Sequence, residues 1–415
     1  MSGKAIRGRV YGASSPLDQS GNRAVHSTGL SRTYSQGHNS KQGVESFKAR
    51  RHLSVKRTRH IFLLHFDYMR TPAGLRTLVT STARASAWQV PQSQPPKDLA
   101  ALRALRAAST PITCVTAYDN PTALALRGAD VDLCLVGDSL ANVALGRAST
   151  RSLEITETIA HARTVRSTLA APGVNAFAEP MLIVDMPFGT CSVSLEDSVR
   201  NVVRVVRETG AAAVKIEGGA ELVPLVKRLA LAGVQVIGHI GLLPQRAASS
   251  SEFRVQGASA ESALDIYHTA MQLDRAGCFG LLLECIPAKL AEYISARVDA
   301  ITIGIGAGPH THGQVLVCTD IMSDLTSPAH VAAVLAAQEA SEPPVQGAAY
   351  PSQWPAGPKF VRSFSYPLSV GAARIDAVQR FVDAVRARTF PELSSESYRI
   401  KSEQWAAFVE RAENS

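Results

Sequence analysis

Eight short apolar segments, regularly spaced over the middle of the chain, most constrain how it can fold. We predict strands at residues 112–116, 132–136, 181–185, 212–216, 234–238, 280–283, 300–304 and 314–318. Several intervals, such as 194–208 and 259–276, have the 3.6-residue apolar period of a helix. Strands that are apolar throughout and separated by helices indicate a buried parallel sheet with crossover connections. Eight such units predict an α/β fold, a closed (β/α)8 TIM barrel.

The charge of the chain divides it into two parts. Residues 1–97 contain 16 Lys or Arg and three acids, whereas the remainder contains 27 basic and 32 acidic residues. The mildly acidic body argues against a nucleic-acid partner. The basic arm is rich in Arg, Ser, Gly and Thr, a composition typical of a transit peptide, so we expect a mitochondrial matrix location. The alternatives are a basic RNA- or membrane-binding tail and, if the arm is no presequence, a cytoplasmic location.

The boundaries of the chain's parts follow from these changes in composition. A complete presequence-like segment begins at Met69, and we hypothesise that it is the true start and that residues 1–68 are a gene-model extension. N-terminal sequencing that finds residues before Met69 would contradict this. We predict the catalytic barrel at 98–390, a Pro-rich insert at 323–358 within it, and a C-terminal tail at 391–415.

The six cysteines give no sign of a metal or redox motif. All lie beyond the arm and none forms a C-x-x-C pair, which argues against a zinc ribbon or a thioredoxin-like site. We expect them to be reduced core residues of an intracellular protein. No apolar run approaches the roughly 20 residues of a membrane span, so no membrane association is expected.

Polar residues stand at the ends of five consecutive predicted strands, where barrels of this type carry their chemistry. They are Asp138 and Ser139, Asp185, Lys215 and Glu217, His239, and Glu284. Three carboxylates on neighbouring strand ends would repel one another without a cation. Because Mg²⁺ binds through one or two carboxylates, waters and substrate, we predict a Mg²⁺ site with Asp138, Asp185 and Glu217 as ligands.

The remaining residues of this group suggest acid–base chemistry on an anion. Lys215 could form an ion pair with Glu217, bind a substrate carboxylate or form a Schiff base, and we favour carboxylate binding. Glu284 is the leading candidate for a general base. His239 fits a substrate hydrogen-bond partner and a core histidine equally well. The polar stretch 242–257 is long enough to be a lid over the site.

Several motifs in this order resemble ketopantoate hydroxymethyltransferases. They are TAYD (116–119), VGDSL (136–140), VDMPF (184–188), VKIEGG (214–219), GHIGLLPQ (238–245), FRVQG (253–257), LLLECIP (281–287) and IGIGAG (303–308). The resemblance implies a barrel of the phosphoenolpyruvate/pyruvate superfamily and a large homo-oligomer such as a decamer. It also implies hydroxymethyl transfer from 5,10-methylenetetrahydrofolate to 3-methyl-2-oxobutanoate with Mg²⁺, in pantothenate biosynthesis.

The same resemblance assigns roles to single residues. It makes Asp138 and Asp185 metal ligands, adds Glu217 to the metal's surroundings, and makes Glu284 the proton acceptor. Asp138, Ser139, Asp185 and Lys215 would contact the ketoacid.

The chain departs from the family pattern in three places. Ala141-Asn142 replaces the usual Gly-Met, residues 147–155 keep Ser149-Thr150 but lose the Leu-Pro-Val that normally follows, and Ser323 replaces a glycine. Two rival functions stay open, one within the same superfamily and one that these departures make conceivable. One is another Mg²⁺-dependent ketoacid lyase or mutase, and the other is an inactive barrel that serves as an assembly subunit.

Overall fold

The barrel is present in the structure, a computed structural model that describes residues 95–172, 177–247, 253–339 and 369–415. Eight parallel strands close in the order β1 to β8, and β8 pairs with β1. Their bounds are β1 Ile112–Thr116, β2 Leu133–Val136, β3 Met181–Asp185, β4 Ala213–Glu217, β5 Gln235–Gly241, β6 Gly280–Glu284, β7 Ile301–Ile305 and β8 Gly313–Leu316. The predicted (β/α)8 barrel is therefore confirmed.

Helices surround this sheet. They are α1 Leu99–Ala107, α2 Asn120–Arg127, α3 Leu140–Val143, α4 Ile155–Leu169, α5 Leu195–Thr209, α6 Val223–Leu231, α7 Ala260–Ala276, α8 Ala288–Ser295, α9 Cys318–Ile321, α10 Pro328–Glu339, α11 Val370–Arg386 and α12 Ser402–Glu413. The fully described connection between β7 and β8 contains no helix. The helix that follows β8 on the outside of the barrel is α11, which packs against β1 and α2.

Local sequence signals fix where the main helices begin. The side chains of Asp98, Ser194 and Ser259 each accept a hydrogen bond from the backbone N–H three residues on, at 2.9, 3.0 and 3.2 Å. Such caps satisfy N–H groups that the first turn of a helix leaves unpaired. The helices predicted at 194–208 and 259–276 accordingly begin one residue after their caps.

Alternation along the strands divides the apolar side chains into two layers. One face, with Ile112, Leu133 and Ile183, fills the barrel interior, and Leu102 of α1 joins this cluster. The other face, with Val115, Cys134 and Val214, packs against the surrounding helices. Helix α1 therefore belongs to the core.

The C-terminal segment 391–415, predicted as a tail, contains helix α12. Its Phe408 is fully buried and lies edge-on to Tyr267 of α7 and Tyr293 of α8, with ring centroids 6.1 and 5.1 Å away. This helix is therefore part of the packed body. Sequence analysis did not identify it.

Other predictions fall partly outside the described residues. The arm, apart from residues 95–97, and residues 340–358 of the predicted insert lie outside them, while α10 lies in the part of the insert that is described. All six cysteines are described and free, and four of them are buried. Within the described ranges, no helix combines the length and apolarity that a membrane crossing requires.

Candidate active site

The predicted site residues meet at the C-terminal rim of β2 to β6. Strand pairing aligns Asp185 with Lys215 and Glu217 with His239, and it aligns Glu284 with Gly241 at the end of β5. Side chains on one face of neighbouring parallel strands lie about 4.8 Å apart across the sheet. The register therefore brings residues distant in sequence into contact.

A chain of polar contacts crosses four of these strands. Lys215 Nζ lies 2.7 Å from Asp185 Oδ2 and 3.1 Å from His239 Nδ1. On its other side, His239 Nε2 lies 3.1 Å from Glu284 Oε2, without the alignment of a hydrogen bond. The side chains of Asp185, Lys215 and His239 are at most 5% exposed, whereas that of Glu284 is 17% exposed. The chain thus links a buried ion pair to a carboxylate that solvent reaches.

The contacts define the protonation of His239. Because an ammonium only donates, Nδ1 must accept from Lys215, which leaves the proton on Nε2, facing Glu284. Burial lowers the pKa of His239, and the Lys215 ammonium lowers it further, while Glu284 opposes the shift. The imidazole is therefore neutral and presents an N–H to the candidate base.

Lys215 is held as an ammonium. Burial disfavours its charge, but Asp185, Asp138 and Glu217 together raise its pKa above the ordinary value. A Schiff base requires the neutral amine as nucleophile. This environment supports the charged role for Lys215.

The rim carries more carboxylate than Lys215 can neutralise. Burial raises the pKa of Asp185 to about 7 and that of Glu217 to about 8. Neighbouring carboxylates raise both pKa values further, whereas the Lys215 ammonium lowers them. Asp185 Oδ1 and Glu217 Oε2 are buried without a hydrogen-bond partner among the described residues. Both features fit a group that would gain from a divalent cation.

Geometry restricts how such a cation would be held. In the described ranges, no three His, Cys, Asp or Glu side chains already form a group that could hold a metal ion. Asp138 and Asp185 are close, since Asp138 N donates to Asp185 Oδ2 at 3.1 Å. Because Mg²⁺ needs only one or two carboxylates and keeps places for water and substrate, the rim fits Mg²⁺. The three-carboxylate set itself stays a prediction.

Two further residues belong to this site. Gln245 donates from its backbone to Glu217 Oε1 at 2.8 Å and from its amide to Asp138 Oδ2 at 3.1 Å. The Tyr118 hydroxyl lies 2.6 Å from Ser139 Oγ. Sequence analysis missed both, although Tyr118 lies in the TAYD motif and Gln245 ends GHIGLLPQ. Their place within those motifs was the available signal.

The main chain around Glu284 is tightly constrained. Cys285 adopts a positive φ of 49°, a conformation that non-glycine residues rarely take. Gly241 has φ 97°, and a Cβ there would lie 2.3 Å from the Glu284 carbonyl oxygen. Leu242 N donates to that oxygen at 2.9 Å. The end of β5 thereby fixes the backbone that carries the candidate base.

Comparison with known proteins agrees with this site. A family model described as ketopantoate hydroxymethyltransferase matches residues 97–346, more than half of the chain. The chain belongs to the ketopantoate hydroxymethyltransferase family. Membership makes it a transferase, as predicted.

Curated relatives of the family match more than half of the chain. The 3-methyl-2-oxobutanoate hydroxymethyltransferase of Desulfitobacterium hafniense is 37% identical over 293 residues, which are 71% of this chain and 91% of the relative. The enzyme of that name from Deinococcus radiodurans is 47% identical over 219 residues, 52% of this chain and 74% of the relative. The crystal structure of a phosphoenolpyruvate phosphomutase from Streptomyces platensis is similar with a TM-score of 0.42 and 16% sequence identity. The match covers 59% of this chain and 86% of the phosphomutase chain.

The departures from the family pattern lie on the same rim. Ser323, at the position of a family glycine, has a φ of 51°, which is the conformation that favours glycine. Ser323 therefore adopts a backbone conformation typical of glycine, which is strained for a residue with a side chain. Asn142, another departure, lines a cavity beside the site together with Thr150, which the chain retains.

Proposed function

We propose that this protein transfers a hydroxymethyl group from 5,10-methylenetetrahydrofolate to 3-methyl-2-oxobutanoate. The product is 2-dehydropantoate (ketopantoate), an intermediate of pantothenate and coenzyme A biosynthesis. The observation that carries the proposal is the polar chain from Asp185 through Lys215 and His239 to Glu284. It supports the proposal because a buried cation, suited to a ketoacid carboxylate, and a candidate base lie on one rim.

Each residue then has a task that its surroundings suit. The Lys215 ammonium binds the ketoacid carboxylate, and Asp138, Ser139 and Asp185 line the same place. Glu284 accepts the C3 proton, while the Nε2–H of His239 orients one of its oxygens. The C3 carbon then bonds to the methylene carbon of the donor as one of its two C–N bonds breaks, and the oxygen of one water bonds to that carbon as the second C–N bond breaks. The proton lost from C3 and one proton of the water end on the two nitrogens of the tetrahydrofolate that leaves.

The rim fits the metal that the family implies. Asp138 and Asp185, with Glu217, would hold Mg²⁺, and the orphaned oxygens and raised pKa values of Asp185 and Glu217 support that assignment. When bound, Mg²⁺ supplies positive charge against the negative charge that develops on the ketoacid oxygens. Lys215, paired with Asp185 Oδ2, adds to this positive charge.

A coupled assay tests the function and separates its rivals. We expect the purified protein to form 2-dehydropantoate from both substrates with Mg²⁺ and to stop when the metal is chelated. Cleavage of a ketoacid instead would identify a lyase or mutase of the superfamily. An assembled oligomer without turnover would identify an inactive subunit.

Glu284→Gln tests the role of the base. We expect Mg²⁺-dependent ketoacid binding to persist while exchange of the C3 proton falls by about 10²- to 10⁴-fold, the usual contribution of a general base. Proton exchange is followed by NMR in D2O. Glu292→Gln, on the exposed surface of α8, is the matched control. Exchange at the wild-type rate in Glu284→Gln would remove that residue from the role.

Two finer statements complete the proposal. We expect a large homo-oligomer such as a decamer, in keeping with the family, and light scattering on the purified protein measures its mass. The acid-poor composition of the arm supports a mitochondrial matrix location. Fractionation of cells that express the full chain tests this, and a cytosolic pool alone would contradict it.

A further inference from the structure

A cavity of about 510 Å³ opens beside the candidate active site. Three loops of the C-terminal rim line it, the loops that follow β2, β5 and β8. Its lining includes Asn142, Arg147, Thr150, Pro244, Phe253 and Pro328. Nothing in the catalytic assignment above uses this cavity.

The cavity adjoins the residues that hold the ketoacid. Pro244 directly precedes Gln245, which bonds to both Asp138 and Glu217. On the other side, the backbone N–H of Asn142 donates to the carbonyl of Ser139 at 2.9 Å, one helical turn away. A molecule in the cavity would therefore lie next to the proposed ketoacid site.

One polar group in the cavity wall lacks a partner. Thr150 is 5% exposed, and its Oγ1 is buried without a hydrogen bond to any described residue. A buried hydroxyl without a partner is destabilising, and a ligand that supplied the hydrogen bond would remove that cost. This unpaired hydroxyl indicates that the cavity is built to bind something polar.

The charge of the cavity excludes a strongly ionic ligand. Among the described lining residues the only charged side chain is Arg147, and it is already paired with Glu157. The amide of Asn142 is neutral and donates to the Arg147 carbonyl at 2.9 Å. The ligand that fits is therefore neutral and has hydrogen-bonding edges.

The shape of the cavity favours a flat ligand. Phe253 is 44% exposed although it is a large aromatic residue, so its ring is available for stacking. Pro244 and Pro328 provide two further walls without flexible side chains. A planar heteroaromatic ring can stack on such a surface while its edge bonds to Thr150.

We propose that this cavity binds the pteridine ring of the one-carbon donor, with its edge on Thr150 and its face on Phe253. The inference rests on the proposed function, which requires such a donor next to the ketoacid. A second cavity of about 390 Å³ also touches the site, through Glu217 and the exposed Phe188. It is the weaker candidate, because Arg151 already covers the Phe188 ring at 4.6 Å from its centroid.

Kinetics of matched variants test this assignment. We expect Thr150→Val to raise the KM for 5,10-methylenetetrahydrofolate about fivefold, since it removes one neutral hydrogen bond. Phe253→Ala should raise that KM about tenfold through loss of stacking. Thr150→Ser should restore the wild-type value. Phe188→Ala, an exposed aromatic of the second cavity, is the control, and the KM for the ketoacid should change by less than about twofold in every variant.

Calorimetry with tetrahydrofolate alone gives a readout independent of turnover. The Kd should rise by the same factors in Thr150→Val and Phe253→Ala. Wild-type turnover with an unchanged donor KM in both variants would overturn the subsite and leave the proposed function standing. A raised donor KM in Phe188→Ala alone would place the donor in the second cavity. No turnover by the wild-type protein would reject the function and the donor site together.

Discussion

Replacement of His239 tests whether the candidate base depends on its neighbour. His239 accepts from Lys215 through Nδ1 and presents its Nε2–H to Glu284 Oε2, each at 3.1 Å. An asparagine at this position can keep the acceptor near Nδ1 but is too short to reach Glu284. A glutamine can instead place an N–H near the position of Nε2. The two substitutions therefore separate the contact with Lys215 from the contact with Glu284.

The expected magnitude follows from burial and geometry. His239 is 2% exposed, so solvent cannot replace its contacts. A hydrogen bond to a charged group is worth about 1.5–3 kcal/mol, or a factor of about 10 to 150 in rate. The contact with Glu284 is not aligned in the absence of substrate, and such contacts tighten when substrate binds. We therefore expect His239→Asn to lower the rate of proton exchange by about 10- to 100-fold.

Exchange of the C3 proton of 3-methyl-2-oxobutanoate is the assay, since it reports the base without the folate donor. We expect His239→Asn to lose exchange while the Kd for the ketoacid changes less than about twofold, because Lys215 keeps an acceptor. His239→Gln should recover most of the rate. The surface variant His268→Asn is the control. Wild-type exchange in His239→Asn, or slower exchange in His239→Gln than in His239→Asn, would refute the reasoning.

Two predictions concern stability, measured by urea unfolding. Burial, helped by nearby arginines, lowers the pKa of His312 to about 4. Since the unfolded chain takes up this proton near pH 6.5, the stabilising contribution is complete above that pH and is lost as pH falls toward 4. As pH falls toward 4, we expect this histidine to lower the free energy of unfolding by about 1–2 kcal/mol, after allowance for its partial exposure. His312→Asn keeps an acceptor for the backbone N–H of Thr302 and should lack this pH dependence. Asp132 is fully buried and pairs with Lys97 and Arg386. Asp132→Ala should lower the free energy of unfolding by about 3 kcal/mol. Asp130→Ala, which removes an exposed side chain, should lower it by less than about 1 kcal/mol. Equal losses in the two variants would contradict this expectation.

The barrel was predictable because its strands are buried on both faces. Such strands are apolar throughout, so their positions stand out in the sequence. Their ends were less certain, and β5 extends through Gly241, three residues beyond its predicted end. Polar His239 lies within that extension and faces other polar groups, an environment that composition does not reveal. Helix α12 was missed for a similar reason, since its Phe408 is buried by aromatic residues of α7 and α8.

Candidate residues could be found at strand ends, but their partners could not. The sequence suggested an ion pair between Lys215 and Glu217 as one alternative, and the structure instead pairs Lys215 with Asp185. Residues two apart on one strand are separated by about 6.5 Å, whereas aligned residues on neighbouring strands are only about 4.8 Å apart. Register between strands decides such pairs, and one strand's pattern does not contain it.

Lys215 connects substrate binding to the orientation of the base. Its ammonium has three N–H donors, of which Asp185 and His239 each take one. A ketoacid carboxylate can take the third without displacing either partner. The bound anion would then favour the ammonium further, and the ammonium keeps the Nε2 proton of His239 directed at Glu284. A Schiff-base nitrogen carries at most one N–H, so it could not donate to Asp185 and His239 at the same time. The arrangement across β3 to β6 therefore favours electrostatic binding, since only then do substrate recognition and proton removal support each other.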